Sequence, residues 1–188
     1  MKYLIASDIH GGAECCRQLL ERFEEEKADL LVLLGDLLYH GPRNELPADY
    51  QTKAVYEQLN AHAPHILCVQ GNCDAEVDQM VLQFPIMNPF LVIRDSGLTI
   101  ALTHGDRYNA HRLPPVQDPD VILCGHTHRP ALEDYRSYVY MNPGSVTLPK
   151  DGSSKSYMTM ENGLFRWKTL AGEEYRRFQM TPRHTEER

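Results

Sequence analysis

Five short stretches of this 188-residue chain gather side chains able to bind divalent cations: Asp8-Ile9-His10, Gly35-Asp36, Gly71-Asn72-Cys73-Asp74, His104-Gly105 and Gly125-His126-Thr127-His128. Asp74 apart, they offer two carboxylates, one carboxamide and four imidazoles, with no thiolate required. Such donors suit first-row divalent ions such as manganese, iron, zinc or nickel better than calcium or a thiolate-bound structural zinc. Seven donors are too many for one ion. Two ions about 3.5–4 Å apart, sharing a bridging carboxylate, are an arrangement that attacks phosphorus esters: one ion generates hydroxide and both neutralise the developing charge.

Each stretch follows a run of apolar, β-prone residues. Segments 4–7, 30–34, 66–70, 100–103 and 121–124 read as short strands, several continuously apolar, as strands covered on both faces are. In open α/β sheets ligands bind beyond the carboxyl ends of strands, where all five polar stretches fall. On extended backbone a spacing of two puts both side chains of Asp8-x-His10, and of His126-x-His128, on one side. The interspersed glycines permit tight turns and close backbone approach.

Other segments supply the frame. Residues 13–26 form a helix on the stripe Cys16, Leu19, Leu20 and Phe23, which makes Cys16 a core residue and leaves Glu24-Glu25-Glu26 as a solvated end. A second helix spans 52–61, with Ala54, Val55 and Leu59 on one side, and a short third spans 75–82 with Asp74 as its cap. Segments 90–94 and 98–103 form a hairpin; 131–134, 138–142, 156–161 and 164–169 are strands of a second sheet. Loop 37–50, interrupted by Pro42 and Pro47, lines a cleft beside Asp36; there Arg43 clamps a phosphate oxygen with help from Asn44, while His40 is no ligand. Residues 106–115 form a second wall, in which Tyr108 and His111 reach a substrate ring. The chain reads as one domain over 1–180 with a polar, frayed tail over 181–188.

Bulk properties narrow the function. A formal charge of -7 argues against tight binding to long nucleic acid. The apolar run that Asp8 ends is too short for a signal peptide, and no stretch approaches the ~20 apolar residues of a membrane span. Five cysteines, odd in number and without paired CxxC spacing, point to reduced thiols in the cytoplasm.

In this order, Asp-x-His, Gly-Asp, Gly-Asn-x-Asp, His-Gly and Gly-His-Thr-His resemble the calcineurin-like metallophosphoesterase superfamily, from residue 1 to about 168. His40-Gly41-Pro42-Arg43-Asn44, Gly71-Asn72-Cys73-Asp74 and Asn142-Pro143-Gly144-Ser145 are similar to its small bacterial YfcE-type phosphodiesterase branch. The resemblance implies an α/β fold: two facing mixed β-sheets flanked by helices as a four-layer αββα sandwich, with metals at one edge. It implies that Asp8, His10, Asp36 and His128 hold one ion and that Asp36, Asn72, His104 and His126 hold the other, Asp36 bridging. Asn142-Pro143-Gly144-Ser145 would support the site.

The activity so implied is a metal-dependent phosphodiesterase: a metal-bridging hydroxide attacks a small phosphodiester, with two divalent ions per chain and Mn²⁺ foremost. Asn72, Cys73, His104 and Arg43 are the catalytic candidates. The superfamily usually has His where this chain has Cys73, and that His assists the leaving group. A thiol is a weak donor, mostly neutral at pH 7 at an unperturbed pKa of about 8.5. The chain should therefore prefer esters with good leaving groups, unless Cys73 is only a small filler. The alternatives are a phosphomonoesterase, or a non-catalytic protein-binding scaffold like the eukaryotic retromer subunit of this fold, against which the complete ligand set weighs. Association into a homo-oligomer, through a sheet edge or a helix face, is also open.

Overall fold

The computed structural model describes residues 1–183. Alternation along its strands sorts the apolar side chains into three cores. On β1 (Lys2–Ala6) and β2 (Leu30–Leu33), Leu4, Ala6, Leu31 and Leu33 face α1 (Ala13–Glu26) and α2 (Thr52–Asn60), meeting Leu19, Leu20, Phe23, Val55 and Leu59. Tyr3, Ile5 and Val32 point the other way, into a core shared with the second sheet. Both faces of these strands are covered, which is why they read as continuous apolar runs.

The first sheet has the order β11-β10-β9-β1-β2-β3, completed by β3 (Ile66–Cys68), β9 (Ser156–Glu161), β10 (Leu164–Thr169) and β11 (Glu174–Gln179). β1, β2 and β3 are parallel, and β9 joins β1 antiparallel with Ile5 opposite Met158. The second sheet, β4-β5-β6-β8-β7, uses β4 (Leu91–Asp95), β5 (Leu98–Leu102), β6 (Val121–Leu123), β7 (Pro130–Asp134) and β8 (Val139–Pro143). Ile100, Leu102, Leu123, Met141, Met158, Phe165 and Trp167 fill the space between the sheets.

The two facing mixed sheets are those expected, with the helices on one flank. On the other flank Ala101, Ile122, Cys124 and Tyr140 are covered by loop residues Ala110 and Val116. That loop carries Pro114, Pro115 and Pro119, so it cannot sustain a helix.

Local differences from the sequence reading have identifiable causes. The third helix, α3, is only Glu76–Gln79. Beyond it the Gln79 amide donates to the carbonyls of Leu82 and Phe84 and accepts from the N–H of Ile86, turning the chain away. Asp74 does not cap this helix; the Ala75 N–H is taken by Asp78 Oδ2 at 2.8 Å. Glu26 is not solvated: it accepts from Lys2, Lys168 and Tyr157, and although burial opposes its charge, the two lysines hold its carboxyl down to about 2. Strand β11 was not expected. Arg183 lies in the expected tail, yet its N–H donates to Asp120 at 2.6 Å and its guanidinium to Asp134; residues 184–188 of that tail lie outside the described residues.

Candidate metal centre

β1, β2, β3, β5 and β6 all end at the same edge of the sandwich, and the five polar stretches begin there. The extended-backbone expectation for the Asp-x-His and His-x-His pairs is not met. Asp8, His10, Asp36, His126 and His128 all have left-handed backbone, with φ of 59°, 49°, 58°, 66° and 60°. Strand pairing has ceased by Asp8, so each ligand is aimed by a turn and not by a pleat. Asp and His are among the non-glycine residues that tolerate this region, at a cost of roughly 1–3 kcal/mol each.

Neighbouring groups hold these turns. Asp74, nine-tenths buried, accepts the backbone N–H groups of Asp36, Leu37 and Gly71 at 2.8, 2.8 and 2.7 Å and so ties the turn after β2 to the turn after β3. Asn142 donates to Gly125 O at 2.7 Å and Thr127 Oγ1 at 3.1 Å, while Ser145 Oγ donates to Asp8 O at 2.8 Å. Trp167 in turn donates to the Asn142 carbonyl at 2.8 Å, linking this support to the core. Glycine is required at two close approaches: a Cβ on Gly71 would lie 2.1 Å from Asp36 Oδ1, and one on Gly125 would lie 1.8 Å from Ser7 Oγ.

The donor atoms converge. His10 Nε2 lies 3.1 Å from His128 Nε2 and 3.6 Å from both Asp8 Oδ1 and Asp36 Oδ2; His128 Nε2 is 3.3 Å from Asp8 Oδ1. His104 Nε2 lies 3.4 Å from Asp36 Oδ2, 3.1 Å from Asn72 Oδ1 and 3.2 Å from His126 Nδ1. Asp36 Oδ2 thus faces both groups, while its Oδ1 accepts the Cys73 N–H at 2.8 Å. With metal–ligand bonds of about 2.0–2.2 Å, adjacent ligands of tetrahedral or octahedral ions lie about 2.8–3.6 Å apart, which these separations match. His10, His104 and His128 each donate Nδ1–H to a backbone carbonyl, of Tyr39, Leu34 and Leu148, leaving the Nε2 lone pair for the site. His126 differs, presenting Nδ1.

A cation fits here on an independent ground. Asp8 is fully buried and its Oδ1 has no hydrogen-bond partner, an arrangement that is costly unless a positive charge sits beside it. Titration behaviour agrees. Burial works against the Asp8 charge, but His10, His128 and His104 hold its carboxyl below the usual range. Burial likewise opposes protonation of His104, yet the Asp36 and Asp8 carboxylates outweigh it and lift its pKa to about 9. His10 is pushed up in the same way by Asp8, whereas burial and His104 push His126 down.

The ring opens into a cleft of about 370 Å³ lined by Asp36, Asn72, Cys73, His126 and His128, by Arg43 and Asn44 from loop 37–50, and by Arg129 and Lys150. Arg43 is exposed and has no ion pair among the described residues. Cys73 is half-buried; burial and Asp36 push its thiol up to about 12, so it is neutral at pH 7. Tyr108 and His111 do not line the cleft: Tyr108 packs edge-on against Phe90 and under Arg112, and His111 against Tyr135. The sequence reading missed Arg129 and Lys150, although one directly follows His128.

Comparison with known proteins gives one consistent result. The sequence profile of the calcineurin-like phosphoesterase superfamily domain matches residues 1–163. Phosphodiesterase YfcE of Escherichia coli strain K12 is 44% identical over 164 residues, spanning 87% of this chain and 89% of its own. A solved structure of YfcE, a phosphoesterase from E. coli, superposes with a TM-score of 0.92 at 40% identity, covering 96% of this chain and 100% of that one. Wild-type Vps29 from Entamoeba histolytica, complexed with zinc, superposes at 0.64 with 20% identity over 95% of this chain and 98% of its own, a likeness of fold.

Proposed function

This chain belongs to the calcineurin-like phosphoesterase superfamily and is a phosphoric ester hydrolase, and from that premise we propose a phosphodiesterase that uses two divalent metal ions on a small phosphodiester. One observation carries the metal reading: the buried, unpartnered Asp8 Oδ1, set among four imidazoles and a second carboxylate. The choice of diester over monoester rests on the E. coli relative, itself named a phosphodiesterase.

Asp8, His10, Asp36 and His128 would hold one ion and Asp36, Asn72, His104 and His126 the second, with Asp36 Oδ2 common to both. Mn²⁺ is the first choice, because oxygen and imidazole donors prevail, with the Cys73 sulfur within 4.8 Å of ligand atoms of His10 and Asp36 as the one soft donor nearby among the described residues. When bound, the ions make water a nucleophile at neutral pH and neutralise charge building on the phosphoryl oxygens. The chain's own residues do the rest. Carbonyls of Tyr39, Leu34 and Leu148 fix three imidazoles in one tautomer. The Arg43 fork, with no ion pair among the described residues, would bind a phosphoryl oxygen. Cys73 accepts from the Asn72 amide at 3.2 Å and, a thiol being a weak hydrogen-bond donor, gives the leaving group little help. Five free thiols, four of them buried, support a cytoplasmic setting.

The test compares an aryl phosphodiester with the matching monoester, using metal-stripped protein titrated with Mn²⁺ and an Asp36→Asn control. Faster diester turnover that saturates with metal and is lost in the control is expected. Faster monoester turnover would make the protein a phosphatase, and metal binding without turnover of either ester would leave a protein-binding scaffold.

A further inference from the structure

The cleft is more basic than its chemistry requires. The chain has 26 acidic and 19 basic residues, yet the lining holds Arg43, Arg129 and Lys150 against one acid, Asp36, which is itself a ligand. Two divalent ions carry four positive charges, of which Asp8, Asp36 and an attacking hydroxide compensate three. The remaining one already balances the single negative charge of a diester, so the scissile group alone does not account for three further cations.

Those cations fall into two sets. Arg43 and Asn44 come from the loop after β2 of the first sheet and sit on the Cys73 side, where Gly41 approaches the thiol. Arg129 and Lys150 follow β6 and β8 of the second sheet. Two bonds hold segment 148–150 beside His128: the Lys150 backbone N–H donates to His128 O at 3.2 Å, and the His128 ring Nδ1–H donates to Leu148 O at 2.7 Å. Arg129 is balanced by Asp151 at 2.5 Å, but the exposed Lys150 ammonium has no ion pair among the described residues. An ammonium without an ion pair, on a flexible stem whose backbone is anchored at the rim of an anion site, is a phosphate binder acting as a point charge.

We propose that the substrate is a phosphodiester bearing a second phosphate, which Lys150 binds with Arg129 while the scissile phosphate lies at the ligand ring beside Arg43. This rests on the phosphodiesterase reading above and extends it to a substrate class with at least two phosphoryl groups. A nucleotide diester with a terminal phosphate has that chemistry.

The test reads binding as well as turnover. Calorimetric titration of the Mn²⁺-loaded protein compares thymidine 5′-phosphate with thymidine 3′,5′-bisphosphate, for wild type, Lys150→Gln and Arg129→Gln. Wild type should bind the bisphosphate at least tenfold more tightly. That ratio should fall to within about threefold in Lys150→Gln, less completely in Arg129→Gln, and should shrink at high salt, as an exposed charge contact does. Turnover is then compared for thymidine 5′-(4-nitrophenyl phosphate) with and without a 3′-phosphate, where the second phosphate should lower KM. Equal affinity for the two ligands, or a preference that survives Lys150→Gln, overturns the proposal. Loss of turnover of both esters with the binding preference intact would instead count against the phosphodiesterase reading while supporting the second anion subsite. Circular dichroism of each variant identifies any misfolded protein, and Lys150→Arg, which keeps the charge, should retain the preference.

Discussion

A histidine at position 73 would place a proton donor where this chain has a thiol held at about 12. General acid assistance is worth roughly 10²–10⁴-fold where the leaving group needs a proton. Cys73→His is therefore expected to raise turnover of alkyl diesters by roughly ten- to a hundredfold and of nitrophenyl diesters by less than about threefold, flattening the dependence of rate on leaving-group pKa. An unchanged slope would mean that Cys73 only fills space. His104 makes a second prediction. Its folded pKa of about 9 lies above the ordinary histidine value of 6.5, so in metal-free protein its contribution to stability is complete below pH 6.5 and disappears as pH rises through 9. Metal-free protein should thus become less stable, by on the order of 2–3 kcal/mol, between pH 6 and 10 in urea titrations. Mn²⁺ should bind more tightly over the same range, because it displaces that proton; a metal-free stability that rises with pH would contradict the assignment. All seven side chains that converge at this edge could be picked out from residue type and order. The left-handed backbone of Asp8, His10, Asp36, His126 and His128 could not, since Asp and His are equally at home on extended chain.

At the scale of the element, Asp74 does what no metal ligand does: it fastens two ligand turns to one another. Asp74→Ala would leave three buried N–H groups without an acceptor, each costing about 1–3 kcal/mol. The expected loss is about 3 kcal/mol or more in chemical denaturation, with weaker metal binding because Asp36 and Asn72 are no longer held in register; a loss below about 1 kcal/mol would show that water replaces the carboxylate. Sequence proximity to α3 suggested a cap instead. The partners that matter, at Asp36 and Leu37, are 38 and 37 positions away and invisible to local patterning. Strand β11 was hidden for a related reason. On the face it shares with Phe178 it carries Arg176, exposed, opposite Trp167 and lying over the indole at 5.7 Å, where an apolar residue would have betrayed the strand. By contrast α1 and strands β9 and β10 have the bounds expected, because their apolar periodicity is uninterrupted.

For the molecule as a whole, the candidate ligands come from both sheets: Asp8, His10, Asp36 and Asn72 follow strands of the first, and His104, His126 and His128 follow strands of the second. A cation shared among them would link the two sheets across their open edge. Mn²⁺ at a hundred times its Kd should add about 2.7 kcal/mol, or roughly 5–10 °C in Tm for a chain of this size, and a chelator should remove the gain; no shift in differential scanning calorimetry would show that metal does not reach the ring. The two-sheet arrangement was legible through family resemblance, but the loop that replaces helices on the far flank became evident only from the covering of Tyr140 and Ile122. The left-handed turns at the ligands carry one more consequence, for anyone who would transplant this chemistry. Only a few residue types occupy such backbone without heavy strain, so coordination and conformation select Asp and His together, and a lengthening swap to Glu meets both objections at once. Copying the seven side chains onto the strands of another scaffold would scatter their donor atoms; the portable unit is the turn with its ligand, brace included.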